Sequence, residues 1–168
     1  IYTMGVSAKE SDIIGKTEVP FVSTKRGGKI TYHGPGMRII YVMLDLKQGK
    51  SGCDIRKFIK MLESWIISVL AHYDIKAFIR DDRVGIWVNH QGIEKKIAAI
   101  GIRLKKWVSY HGIAVNINPD LSKFSNIVPC GISGDEYGVT SLADMGVTAD
   151  FRDFDSILKK EFFKQFDK

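Results

Sequence analysis

Lys95-Lys96-Ile97-Ala98-Ala99-Ile100-Gly101-Ile102 is the stretch from which the fold is read. An unbroken run of apolar and small residues, with no polar alternation, is expected where a strand is covered on both faces. Its small residues let a second backbone or a ligand come close. A strand of this kind needs covering elements, and the flanking sequence supplies them. Residues 37–46 are rich in Ile, Val, Leu and Tyr and read as another buried strand. Ile55, Phe58, Ile59, Leu62, Ile66, Val69 and Leu70 recur at helical spacing, which predicts an amphipathic helix over about 53–72, capped by Ser51 or Asp54. Short strands are expected at 76–79 and 84–89 and a longer one at 108–117, where Asn118-Pro119-Asp120 marks a turn. Phe151, Phe154, Ile157, Leu158, Phe162 and Phe166 trace the buried stripe of a second helix. The pattern is mixed α/β, with strands outnumbering helices.

The 168 residues suffice for one domain with a sizeable core, and no linker, repeat or low-complexity tract divides them. Residues 1–168 are therefore expected to form a single domain. Hydrophobic residues at 45% and charged residues at 26% give the balance of an ordinary globular chain. Charged residues or glycine interrupt every apolar stretch before it reaches bilayer length, and no signal peptide is visible. The start at Ile1 without an initiator methionine is read as truncation or processing. Two cysteines, Cys53 and Cys130, do not make a disulfide framework, and no Cys/His spacing suits zinc, so no metal is expected. A reducing cytoplasm is the expected location. The net charge of +6 and pI near 9.3 favour acidic partners. The basic residues form only short clusters, Lys95-Lys96 and Arg103-Lys105-Lys106, which suit a solvated face and lack the aromatic interleaving of nucleic-acid binders.

Four segments have the chemistry for a site. Arg26-Gly27-Gly28-Lys29-Ile30-Thr31-Tyr32-His33-Gly34-Pro35-Gly36 exposes backbone amides through its glycines and adds donors at Arg26, Lys29 and His33. It matches neither a Walker A loop nor a dinucleotide fingerprint, and a purely structural hairpin or loop stays open. Lys96 heads the apolar run. It either snorkels to solvent or, held in a cleft, becomes a tunable base or charge partner. In Val128-Pro129-Cys130-Gly131-Ile132 a thiol follows a rigid approach and precedes an unobstructed glycine. Cys53, near a helix N-terminus, is its rival, and local chemistry does not choose between them. Tyr110-His111-Gly112 repeats Tyr32-His33-Gly34, a coincidence or a convergence of two histidines on one cleft. His72 and His90 have no partner pattern and read as surface or helix-end residues.

In this order, the segments resemble the lipoyl(octanoyl) transferase family, LipB. The resemblance rests on the glycine-rich segment 26–36, Lys96-Ile97-Ala98-Ala99-Ile100-Gly101, Tyr110-His111-Gly112, Val128-Pro129-Cys130-Gly131-Ile132 and Gly138-Val139-Thr140-Ser141-Leu142. It covers most of the chain. It implies a biotin/lipoate-protein ligase-like α/β fold, one domain around a central mixed sheet. It also implies transfer of octanoate from octanoyl-acyl carrier protein to a lysine of lipoyl domains, such as those of 2-oxoacid dehydrogenases and the glycine-cleavage H protein. By resemblance Cys130 is the nucleophile, which sets Cys53 aside, and Lys96 is its partner. The same resemblance assigns the acyl-binding tunnel to Arg26, Gly27, Gly28, Lys29, Ile30, Thr31, Tyr32, His33, Ala99, Ile100, Gly101, Gly112, Ile113 and Ala114.

The implied enzyme uses no ATP or metal, binds neither nucleic acid nor membrane, and works as a monomer in the cytoplasm. Two departures stand out. The family usually has Gln after the Gly-Pro-Gly turn, where this chain has Met37 and Arg38. Ile1–Gly5 resembles the end of a strand that follows an N-terminal helix and strand in the family, and neither of those precedes it here. The competing readings are an ATP-dependent lipoate or biotin ligase of the same fold, and a non-catalytic basic nucleic-acid-binding domain.

Overall fold

The computed structural model describes residues 1–128 and 137–167. In chain order the elements are β1 (Tyr2–Met4), β2 (Phe21–Ser23), β3 (Ile30–Tyr32), β4 (Met37–Tyr41), α1 (Ile55–Ala71), β5 (Ala77–Arg80), β6 (Arg83–His90), β7 (Ile93–Lys105), β8 (Val108–Asn116), β9 (Tyr137–Val139) and α2 (Phe151–Phe166). They form three layers: two helices, a six-stranded sheet and a three-stranded sheet. The large sheet runs β4-β8-β7-β6-β5 by antiparallel pairing, and β9 joins β7 in parallel, so the sheet is mixed. The run 97–102 lies in the middle of β7, its long central strand.

Both helices cover one face of that sheet. Phe58, Leu62, Ile66, Val69 and Leu70 of α1 and Phe154 of α2 are at most 1% exposed and pack with Val42, Ile86, Val88, Ile97, Ala98, Ile113 and Val115. Burying each such large apolar side chain contributes about 1.5–3 kcal/mol, which far exceeds the intrinsic preference of these residues for helix. Trp65 Nε1 donates to Leu158 O at 2.9 Å and ties α1 to α2. The second core lies on the opposite face, where Met37 and Ala114 meet Tyr2, Ile30 and Tyr32 of the small sheet, with Phe124 and Ile127. Tyr2 stacks on Phe21, and Phe124 meets Tyr32 edge-on.

The glycine-rich segment is not a hairpin. β1 separates β2 from β3, pairing parallel with the first and antiparallel with the second, so residues 24–29 are a loop between layers. Regular pairing of 37–46 stops at Tyr41. Beyond it Ser109 enters the ladder: its hydroxyl donates to Val42 O at 2.8 Å and accepts from Leu44 N at 3.0 Å, and one isolated bridge, Asp45 to Val108, follows. Of the two candidate caps it is Asp54 that starts α1, with Oδ1 accepting from the amides of Arg56 and Lys57.

A β-bulge sets the side-chain directions that matter most. Strict alternation would place Lys96 on the helix-side face with Ala98, Ile100 and Ile102. Instead the pairing shifts from Trp87–Lys96 to Ile86–Ala98, leaving Ile97 as an extra residue. Ile97 and Ala98 both enter the helix-side core, and Lys96 joins Ala99 and Gly101 on the opposite side. One inserted residue thus re-aims the lysine.

Candidate functional site

Between the large sheet and the loop ahead of β3 lies a cleft of about 450 Å³. That falls within the roughly 300–1,000 Å³ of small-molecule sites. Ala99, Gly101, Gly112 and Ala114 leave space over the sheet, and Arg26, Gly28, Lys29, Ile30 and Thr31 form the facing wall. Ile39 adds an apolar side chain, the strands at Ile100 and Ile113 complete the floor while their side chains face the helices, and Asp82, Arg83 and Val84 stand at the end occupied by Lys96.

Lys96 is 5% exposed. Its Nζ donates to Val84 O at 2.9 Å and lies 4.7 Å from the centre of the Trp87 ring. Gly85 makes this placement possible. At φ +132° it adopts a conformation reserved for glycine, and a Cβ there would lie 2.9 Å from Lys96 Cε and 3.0 Å from Ala98 O. A glycine inside a strand pattern is itself a sequence signal for a bulge, and it is the signal that would have located this end of the cleft.

Arg26 is the buried cation of the opposite wall. Nε donates to Thr3 Oγ1 at 3.0 Å, Nη2 to Thr3 O at 2.5 Å and Nη1 to Gly27 O at 2.9 Å. The two histidines of the repeated triplets both sense it but have different surroundings. His111 lines the cleft, with burial first, then Arg26 and Arg103, lowering its pKa. His33 sits on Thr3, outside the lining, and burial followed by the Arg26 charge lowers its pKa to about 4.

Eleven of the fourteen expected tunnel residues border the cleft; Gly27, Tyr32 and His33 do not. Gly27 instead donates its amide to Ile102 O at 3.0 Å, which docks the loop on β7, and Tyr32 is buried in the small-sheet core. Of the two residues that follow the Gly-Pro-Gly turn, Met37 is buried in the small-sheet core, and Arg38 forms an ion pair with Asp155 at 2.5 Å and covers the Phe151 ring. Arg38 belongs to the helix side. Cys53 is exposed ahead of α1, away from the cleft lining. His72 caps α1 and meets Glu161 at 3.0 Å, whereas His90 lies 3.7 Å from Asp144.

Cys130 lies outside the described residues. The flanking residues are anchored to the two walls. Val128 N donates to Asp12 O at 2.8 Å, and the carboxylate of Asp12 pairs with Lys29 at 3.3 Å. On the other side, β9 pairs with Glu94–Lys96, and Thr140 N donates to Lys96 O at 3.0 Å. Arg83 covers the Tyr137 ring at 4.1 Å. Among the described residues, no group of three or more His, Cys, Asp or Glu side chains is placed to hold a metal ion, and no helix is long and apolar enough to cross a membrane.

The catalytic-domain model of lipoyl protein ligases A and B matches residues 1–163. The chain belongs to that family. Within the lipoyl protein ligase A/B family it is 56% identical over 166 residues to an octanoyltransferase of Wolbachia pipientis wMel, an alignment covering 99% of this chain and 79% of the relative. An octanoyltransferase of Maricaulis maris is 57% identical over 159 residues, or 94% of this chain and 70% of the relative. A bipartite lipoate protein ligase solved from Thermoplasma acidophilum superimposes with a TM-score of 0.74 at 15% identity, covering 98% of this chain and 66% of that one. This last likeness shows the fold, that of a lipoate-protein ligase.

Proposed function

We propose that this chain is an acyltransferase of protein lipoylation, which moves an octanoyl group from a thioester donor to a lysine of a lipoyl domain through a thioester on Cys130. The observation that carries the reading is the high identity to octanoyltransferases along nearly the whole chain. The cleft supports it. Its lining of small residues, with Ile30 and Ile39, suits an eight-carbon chain, each buried methylene of which contributes roughly 0.8 kcal/mol. A buried lysine stands at one end of that lining.

The reaction runs in two exchanges. Cys130, its thiol proton held on Lys96, attacks the donor carbonyl as a thiolate; the carrier's sulfur leaves and takes that proton from Lys96, and one thioester replaces another, so no nucleotide or metal has to drive it. The acceptor lysine's neutral amine then attacks the octanoyl-Cys130 carbonyl. An amide forms, the Cys130 thiolate departs, and the surplus proton of the attacking nitrogen passes to Lys96. As a cation Lys96 favours the thiolate, and as an amine it receives that proton. Backbone amides of the glycine-rich loop stabilise the developing oxyanion. We assign octanoyl-acyl carrier protein as the donor, in the cytoplasm. The net charge of +6 complements acidic carrier proteins and lipoyl domains.

Incubation with octanoyl-acyl carrier protein, followed by intact-protein and peptide mass spectrometry, tests the reading. One octanoyl group on the peptide containing Cys130, absent in Cys130→Ser, is expected. Acceptor modification that depends on free octanoate and ATP, with no acyl-Cys130, would replace this reading with that of a ligase.

A further inference from the structure

The helix side of the large sheet holds a carboxyl group that the chemistry above does not use. Glu63 is on α1, 4% exposed, on the face that also carries Leu62 and Ile66 into the helix-side core. Its Oε1 accepts from Gly85 N at 3.3 Å. That amide belongs to the same peptide unit as the Val84 carbonyl, and the Val84 carbonyl accepts from Lys96 Nζ at 2.9 Å. The described chain has no cis peptide bonds, so this N–H and C=O point in opposite directions. A carboxylate on one side of the peptide and an ammonium on the other therefore hold it in one orientation. The acid can take only the N–H, and the ammonium can bind only the C=O.

We infer that Glu63 is a positioning residue for Lys96, acting through the Val84–Gly85 peptide. This rests on the reading of Lys96 as a member of the catalytic pair. Three observations support it. Gly85 is held in a backbone conformation reserved for glycine, so the peptide is not in its default strand orientation. A neutral glutamine would satisfy the same amide, yet the chain carries an acid here at a desolvation cost: burial, the largest influence, raises the Glu63 pKa. The charged groups that act on Glu63 are Lys60 on its own helix, Asp81 in the β5–β6 turn and Lys96 across the sheet. Glu63 thus provides a hydrogen-bond acceptor for the peptide and, when ionised, a charge that favours the cationic form of Lys96. The carboxylate polarises the peptide between them, and the two hydrogen bonds strengthen each other in surroundings that screen less than water.

The two roles are separated by Glu63→Gln, which keeps the acceptor and removes the charge, and Glu63→Leu, which removes both and keeps the core apolar. Backbone NMR of the full chain reads the geometry without requiring activity. The Gly85 amide proton is expected to shift with pH as Glu63 titrates, with a midpoint above the ordinary carboxylate range, and the response should vanish in Glu63→Gln. In Glu63→Leu the Val84 carbonyl resonance should move towards its position in Lys96→Met. Thiol acylation rates measured against pH read the consequence. The part of the profile that Lys96→Ala abolishes is expected to lie lower in Glu63→Gln, where the acceptor remains and the charge is gone. A pH-independent Gly85 amide, or an unmoved Lys96-dependent limb, overturns the inference. If Lys96→Ala leaves acylation unchanged, the catalytic reading of Lys96 fails by itself, and the Gly85 and Val84 resonances then decide whether Glu63 holds the peptide.

Discussion

His33 is held neutral first by burial and then by the Arg26 charge, and the hydrogen bonds around it agree. Thr3 Oγ1 accepts from both Nε and Nη2 of Arg26, so its own hydrogen is what it offers His33 Nδ1, 3.3 Å away. Protonating that nitrogen would set donor against donor beside a guanidinium. Burial first and Arg26 second lower the pKa from 6.5 to about 4. As pH falls below 6.5 the unfolded chain takes up this proton and the folded chain does not. The fold therefore keeps its full stability above that value, loses it through the window from 6.5 to about 4, and loses no more below it. One such group contributes at most about 1.4 kcal/mol per pH unit. Urea unfolding at stepped pH should show this acid-side loss, and His33→Gln, which offers Thr3 an acceptor that does not titrate, should flatten it. His111, lowered in the same direction, keeps part of the slope. An unchanged slope in His33→Gln would remove His33 as its source.

Helix α1 shows what single elements owe to local sequence. Its first-turn amides are met by Asp54 Oδ1 at 2.9 and 3.0 Å. Asp54→Ala is expected to cost about 1 kcal/mol in urea unfolding while leaving acyl transfer unchanged, because the cap is exposed and remote from the cleft. Asp54→Asn should restore most of the loss. Both helices were legible because their apolar residues recur at a period that only one geometry satisfies, and the run 97–102 was legible because an unalternated strand must be covered twice. The choice between Ser51 and Asp54 was not, since either residue type caps well and only the backbone path decides. Three-residue strands such as β2 and β9 carry no period and exist by pairing with distant partners. The bulge at Ile97 is a property of the β6–β7 register: nothing within β7 announces that Lys96 changes sides, and the one trace of it is Gly85 in the neighbouring strand. Glu63 did leave a trace, a carboxylate three residues before Ile66 on the apolar stripe of the helix.

At the scale of the whole molecule, the cleft exists because two sheets share one strand neighbourhood without closing on each other. Gly27 docks its loop on β7 at Ile102, and Arg26 holds that loop to β1, so the wall above Ala99 and Gly101 is fixed at both ends. Resemblance assigned residues from both walls, but sequence could not show that the wall residues split, with Gly27, Tyr32 and His33 supporting the structure behind the lining. That division depends on contacts between residues far apart in the chain. It also makes the depth of the cleft testable. Ala99 projects from the central strand into the space between the layers, and Leu in its place adds three carbons there. If the acyl chain lies over Ala99, Ala99→Leu displaces up to three of its methylenes, worth roughly 0.8 kcal/mol each. The kcat/KM for octanoyl donor should then fall about 50-fold relative to butanoyl donor. The comparison between donors isolates the cleft from general damage, because both donors use the same nucleophile, carrier and acceptor. Thermal unfolding should confirm that the variant is folded, since Ala99 is partly exposed and its side chain faces open space. An unchanged ratio of octanoyl to butanoyl transfer in a folded variant would place the acyl chain elsewhere, and the assignment of this inter-sheet cleft as its binding site would have to be given up.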